Sequence, residues 1–182
     1  MTLKVDLLTH QVLQTPRLRL RPFQLSDAPA LFTLGQDPAV AQFSLHYPNE
    51  AAAVQNLADY WMGTPLGKWA VTLADGSFIG AIELHEDEVN RKAELGYVFD
   101  HRYWGHGYAT EAARALLDLC FNTMQLSSVF AMYDSRNSRS GALCQRLGMH
   151  IDGQLRADRI IQEVPVTTVV ASILRSEYDA AN

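Results

Sequence analysis

The stretch Arg102-Tyr103-Trp104-Gly105-His106-Gly107-Tyr108-Ala109 constrains this chain more than any other. It joins an apolar run that reads as a strand, Ala93 to Asp100, to an apolar-periodic run that reads as a helix reaching about Met124. Two glycines at a strand-to-helix junction let the backbone pass close to a partner. The first-turn N–H groups of the helix point at that partner, and the positive end of the helix dipole favours an anion there. A phosphate or another anion is the expected occupant, with tight packing alone as the other reading of the glycines.

The residues ahead of the junction read as an antiparallel meander. Trp69 to Ala74 has strand composition, Asp75-Gly76 is a hairpin signal, and Phe78 to about His85 returns. After the polar loop Glu86 to Arg91, Ala93 to Asp100 comes back and feeds the glycines. Upstream, Arg17-Leu18-Arg19-Leu20-Arg21 alternates as a half-buried strand with its leucines inward. Its arginines form either an anion site or a solvated face. Ser26 and Asp27 start a helix over Ala28 to Leu34, ended by Gly35 and Pro38. Pro48-Asn49-Glu50 opens a second helix running to about Trp61. Downstream, Ala109, Ala112, Ala113, Leu116, Leu117 and Cys120 recur at helical spacing. A strand over Ser127 to Tyr133, a helix over Ser138 to Leu147 stopped by Gly148, and strands over Gly153 to Arg159 and Val164 to Leu174 follow. The expected fold is a mixed α/β (α+β) single domain over residues 1–182, with about six to seven mostly antiparallel strands flanked by about four helices.

At 182 residues and 48% hydrophobic the chain can build one sizeable core, and no linker or repeat divides it. A formal charge of −5 argues against a nucleic-acid binder. No run approaches the roughly 18 apolar residues of a membrane span. The first ten residues lack the apolar core of a signal peptide. Cys120 and Cys144 fall in helical patterns and make no disulfide framework, so reduced thiols and a cytoplasmic location are expected. The six histidines show no ligand spacing, and no metal is expected. Trp61, Trp69 and Trp104 read as packing residues.

Two nucleotide-binding patterns fail. The dinucleotide fingerprint wants Gly or Ala where Thr110 stands, and an acidic residue about 20 positions on, near Ser127 and Ser128. Gly63 to Trp69 has one residue too few between its glycines, and Trp69 where a magnesium-holding Ser or Thr belongs. A different combination does match. It comprises Ala93-Glu94-Leu95-Gly96-Tyr97, then Arg102-x-x-Gly105-x-Gly107-Tyr108-Ala109-Thr110-Glu111-Ala112, then Asn137-x-x-Ser140 and Leu147-Gly148-Met149. The opening Thr15-Pro-Arg-Leu-Arg-Leu-Arg21 precedes them. In this order the residues resemble the GNAT acetyltransferase superfamily, most of all its branch containing the ribosomal-protein N-terminal acetyltransferases RimJ and RimL. The resemblance covers about residues 15–174.

That resemblance implies a GNAT-like fold and acetyl-coenzyme A as cosubstrate. Its pyrophosphate would lie on the loop formed by Arg102, Trp104, Gly105, His106, Gly107, Tyr108, Ala109 and Thr110. Its pantetheine arm would run beside Tyr97, Val98 and Phe99, with Asn137 and Ser140 reaching it from the next helix. The implied reaction is direct attack of an amine on the thioester in a ternary complex, the acceptor being a protein N-terminus or a small amine. Glu94 is the implied base, with Glu83 in the preceding strand as a second candidate. Many relatives place a tyrosine where this chain has Cys144, which shifts the donor to the leaving sulfur onto Ser140. His106 stands where Lys or Arg is common, and Met149 where an aromatic is usual. Homodimerisation is a habit of the family. A catalytically idle coenzyme A-binding module is the alternative.

Overall fold

The computed structural model describes residues 2–161 and 163–181 and contains one eight-stranded sheet. The strands are β1 (Leu13–Gln14), β2 (Leu18–Arg21), β3 (Lys68–Leu73), β4 (Phe78–Asp87), β5 (Lys92–Phe99), β6 (Ser128–Asp134), β7 (His150–Ile161) and β8 (Val164–Leu174). Their spatial order is β1-β2-β3-β4-β5-β6-β8-β7. Every neighbouring pair is antiparallel except β5 with β6. Seven helices accompany them among the described residues: α1 (Leu3–Thr9), α2 (Ala28–Gln36), α3 (Pro38–Ala41), α4 (Glu50–Asn56), α5 (Tyr108–Asp118), α6 (Ser138–Arg146) and α7 (Arg175–Ala181). The last turns of α4 and α5 widen into π-helix over Leu57–Met62 and Leu119–Thr123.

Period-two alternation splits the core in two. Leu18, Leu20, Trp69, Val71, Leu84, Leu95 and Phe99 pack with α1, α5 and α6 on one face. Ala70, Ala81 and Val98 face α2 and α4 on the other, where Leu31, Leu34, Leu57 and Trp61 fill the space above the small residues.

The feature that positions the site is the one parallel pair. β5 and β6 are paired only at Lys92↔Ser128, Ala93↔Val129 and Glu94↔Phe130. Beyond Glu94 they diverge, while β5 continues to Phe99 and β6 to Asp134. The facing edges from Leu95 and Ala131 onward therefore present backbone groups with no strand opposite. Each branch closes in the same way. Asp100 accepts the Arg102 N–H at 2.9 Å and its guanidinium, and Asp134 accepts the Arg136 N–H at 2.9 Å and its guanidinium. The bond from Arg136 holds the Asp134 carboxyl below its ordinary value.

The sequence reading undercounted the elements. Helix α1 rests on Leu3 and Leu7, 6% and 1% exposed, a pair too brief to show periodicity. Strand β1 is two residues long, and α7 has no buried residue and hence no apolar pattern to read. β7 begins at His150 and reaches Ile161 because it pairs along β8, although most of its side chains are exposed.

Gly80 in β4 fixes how closely β5 approaches. A Cβ there would overlap the Val98 carbonyl oxygen, a backbone atom that cannot swing away. Gly80→Ala is expected to cost about 1–3 kcal/mol, as overpacking does, measured by denaturant unfolding.

Candidate active site

Gly105 and Gly107 have φ of 79° and 80°. A Cβ on Gly105 would meet nothing within 4 Å, and one on Gly107 only Arg17 Nη2 at 3.5 Å. Close packing is therefore not why these residues are glycine; the left-handed backbone is. The turn leaves the amide groups of Gly105 to Thr110 without an acceptor among the described residues, at the N-terminus of α5. Arg17 braces the loop from β2's side. Its Nη1 donates to the His106 carbonyl at 2.9 Å, its Nε donates to Glu111 at 2.6 Å, and its guanidinium lies 4.7 Å from the Tyr108 ring centre. Burial pushes Glu111 upward, but bonds from Thr15 and Arg17 outweigh it and keep the carboxyl below its ordinary value.

A groove of about 1740 Å³ runs from this loop along the open edge of β5 to α6. Tyr97, Val98, Phe99, Trp104, Gly105, Gly107, Tyr108, Ala109, Thr110, Asn137 and Ser140 line it, bringing together eleven of the residues singled out from the sequence. Arg102 and His106 do not line it. The Arg102 guanidinium is held by Asp100, and the His106 ring bonds the Trp104 carbonyl at 2.9 Å and stacks on Tyr108. Trp104 Nε1 donates to Phe99 O at 2.8 Å, and Arg139 lies 4.5 Å from the Trp104 ring centre. Asn137 caps α6 by accepting the Ser140 N–H at 3.1 Å. The Ser140 hydroxyl bonds to the Tyr97 phenol. Arg17, Arg114, Arg139 and Arg146 also line the groove, a cationic concentration in a chain of net charge −5. Free amides, glycine-permitted turn and arginines together fit a long phosphorylated cosubstrate.

On the other face lies a cavity of about 240 Å³ lined by residues that include Ser44, Asn56, Tyr60, Trp61 and Glu83. Ser44, Tyr97 and Val98 line both spaces, so the two meet at the β5–β6 fork. Tyr60 donates to Glu83 Oε2 at 2.8 Å, and His85 Nε2 lies 3.4 Å from both. Lys68 Nζ sits 3.4 Å from the Tyr60 ring centre. Burial first, and then the Glu83 carboxylate, push the Tyr60 phenol well above its ordinary value. The hydrogen bond to Glu83 raises His85. Glu94 is opposite His85 in the β4–β5 register, on the same face, but lines neither space and makes no hydrogen bond among the described residues. Glu83 lies over Gly96, where a Cβ would come within 2.9 Å of its Oε1.

Cys120 and Cys144 are free and buried, and burial raises the Cys144 thiol. Asp37, Asp100 and His101 come together beside the loop, with Asp37 already capping the Ala39 N–H and Asp100 holding Arg102. Arg17, Tyr60 and His85 were not singled out as site residues. Arg17 carries a charge that reads as a solvated face, and strand alternation puts His85 on Glu83's face, but nothing local marks Tyr60, which only the tertiary fold brings to that carboxylate.

Comparison with known proteins agrees with this geometry. Residues 17–150 match the family described as "Acetyltransferase (GNAT) domain". The uncharacterized protein YkkB of Bacillus subtilis (strain 168) is 31% identical over 156 residues, covering 79% of this chain and 88% of YkkB. The spermidine N(1)-acetyltransferase of Escherichia coli (strain K12) is 25% identical over 163 residues, 88% of each chain. A GNAT-family acetyltransferase structure from Bacillus anthracis superposes with a TM-score of 0.81 at 24% identity, covering 91% of this chain and 99% of that one. No helix among the described residues is long and apolar enough to cross a membrane. The chain belongs to the GNAT acetyltransferase family, and it is an acetyl-coenzyme A-dependent acyltransferase.

Proposed function

We propose that this enzyme acetylates the primary amine of a small cationic molecule, by direct attack within a ternary complex. The observation that carries the reading is the meeting of two spaces at the fork: a cationic groove for the donor and a carboxylate-bearing cavity for the acceptor. The cosubstrate supplies the activated acyl group. The chain's own residues seat its phosphates, leave the β5 edge open beside it and aim an amine at the fork.

The cavity's polarity selects the acceptor. Glu83 lines it, Glu94 adds negative charge behind it, and a volume of about 240 Å³ suits a slim aliphatic amine. Likeness to a spermidine N(1)-acetyltransferase supports the same class. A protein N-terminus, favoured by the RimJ/RimL-like motifs, is the second reading. An α-amino group costs only about 1.4 kcal/mol to deprotonate at pH 7, whereas a lysine-like alkylamine costs about 4.6 kcal/mol. A proton acceptor therefore matters more for the first class. Of the two carboxylates Glu83 is better placed for that proton, because it borders Tyr97 and Val98. Glu94, the base implied by resemblance, is assigned the supporting charge. Free thiols at Cys120 and Cys144 fit a cytoplasmic setting.

Coenzyme A release across a panel of polyamines, monoamines and N-terminal peptides tests this. The expected result is a kcat/KM for polyamines at least about tenfold above that for peptides, one decade being about 1.4 kcal/mol. The reverse order would assign the cavity to a protein N-terminus, and donor binding without release to any amine would leave an idle module. Gly96→Ala provides a local check. The new methyl displaces the Glu83 carboxylate, so turnover falls while coenzyme A affinity stays unchanged in calorimetry.

A further inference from the structure

We propose that Tyr97 is a catalytic residue whose phenol donates a hydrogen bond to the sulfur that leaves during acetyl transfer; this rests on the acetyl-transfer reading above. Strand β5 alternates, so its two faces serve opposite ends of the reaction. Glu94 and Gly96, with Glu83 lying over Gly96, are on the α4 side, whereas Leu95, Tyr97 and Phe99 pack on the α5–α6 side. The proton acceptor and the phenol therefore flank the fork from opposite faces of one strand. Tyr97 also lines both the groove and the cavity.

The Tyr97 O–H is loosely held as a donor. It reaches the Ser140 carbonyl only at 3.4 Å and otherwise the Cys144 thiol, a weak acceptor, while the Ser140 hydroxyl bonds to its oxygen. A part-buried donor held this loosely gains most when an anionic acceptor arrives. Cys144 itself is 3% exposed and burial raises its thiol, so it supplies no charge of its own. Burial likewise pushes the Tyr97 phenol up. The phenol thus keeps its proton and stabilises the sulfur by donation rather than by transfer.

The step balances in those terms. The amine nitrogen bonds to the acyl carbon, the carbon–sulfur bond breaks, and the electron pair leaves on sulfur against Tyr97 Oη–H. The amine's proton passes to Glu83, and the thiolate takes a proton from solvent on release. Ser140, whose hydroxyl bonds to the Tyr97 phenol and which lines the groove, supports that donation.

The test reads the thiol directly. Ultraviolet thiolate absorbance of coenzyme A bound to the enzyme is followed against pH in wild type, Tyr97→Phe and Tyr133→Phe. Tyr133 of β6 lies beside Gly141 of α6 and does not line the groove, so it controls for general loss of a phenol. The expected result is a bound thiol titrating about one pH unit higher in Tyr97→Phe than in wild type, with Tyr133→Phe unchanged. The kcat of Tyr97→Phe should fall about 10²-fold, as when one oxyanion donor is removed, with donor KM little altered. If Tyr97→Phe folds poorly, difluorotyrosine at position 97 keeps the shape while sharpening the donor, and should lower the thiol titration. Identical thiol titration in wild type and either Tyr97 variant overturns the proposal while leaving acetyl transfer intact. A wild type that binds no coenzyme A overturns both.

Discussion

Gly107→Trp is expected to lower coenzyme A affinity at least about a hundredfold, roughly 2.8 kcal/mol, in calorimetry. The indole would stand at a turn whose amides find no acceptor among the described residues, so it would occupy the place of the phosphates. The backbone adds a second penalty. At φ of 80° an L-residue costs about 1–2 kcal/mol more than glycine. Thermal melts separate the two effects, because Gly107→Ala shares the strain and lacks the bulk. Gly107→Ala should therefore melt like Gly107→Trp and bind coenzyme A much better. Undiminished binding by Gly107→Trp would remove the loop from the donor site.

The second large effect is expected at Glu83. Glu83→Gln should lower kcat for a small alkylamine about a hundredfold, within the range of a lost general base, with donor affinity unchanged. Glu94→Gln should lose about tenfold or less, since Glu94 acts through charge and lines neither space. The opposite order would return the base to Glu94. Both losses should be greatest at low pH, where the amine holds its proton most firmly. Glu83→Gln also carries a stability signature. The bond to Glu83 raises His85, so the pair's contribution is complete below the unfolded histidine value of about 6.5. It is lost as pH rises through the higher native value. The melting difference between wild type and Glu83→Gln should therefore shrink as pH rises through that window.

Much of this arrangement is legible in the residues. Gly105 and Gly107 announce the turn because left-handed backbone demands glycine even where a Cβ would meet nothing closer than Arg17 Nη2 at 3.5 Å. The meander ahead of them is written in Asp75-Gly76 and in alternating strands, and Val164–Leu174 lies where its composition puts it. Asn137 is recognisable as a helix cap. What the sequence does not carry is long-range register. Glu83 and His85 share a face by strand alternation, but Tyr60 and Glu94 join them only through the π-helical end of α4 and β4's pairing with β5. Arg17 reads as one charge of a solvated strand until β2 brings it against His106 and Glu111. The resemblance points to Tyr97 only for its backbone, because its place in an apolar strand says nothing about where its hydroxyl ends.

The central claim is that the fork between β5 and β6 is the donor site and the Gly105–Thr110 amides are its phosphate seat. Amide chemical shifts during titration with acetyl-coenzyme A test it most directly. The account predicts that Gly105, Gly107, Ala109 and Thr110 shift together with Tyr97, Val98 and Phe99, saturating at one ligand per chain. Saturable binding that leaves these amides unmoved while others shift would contradict it.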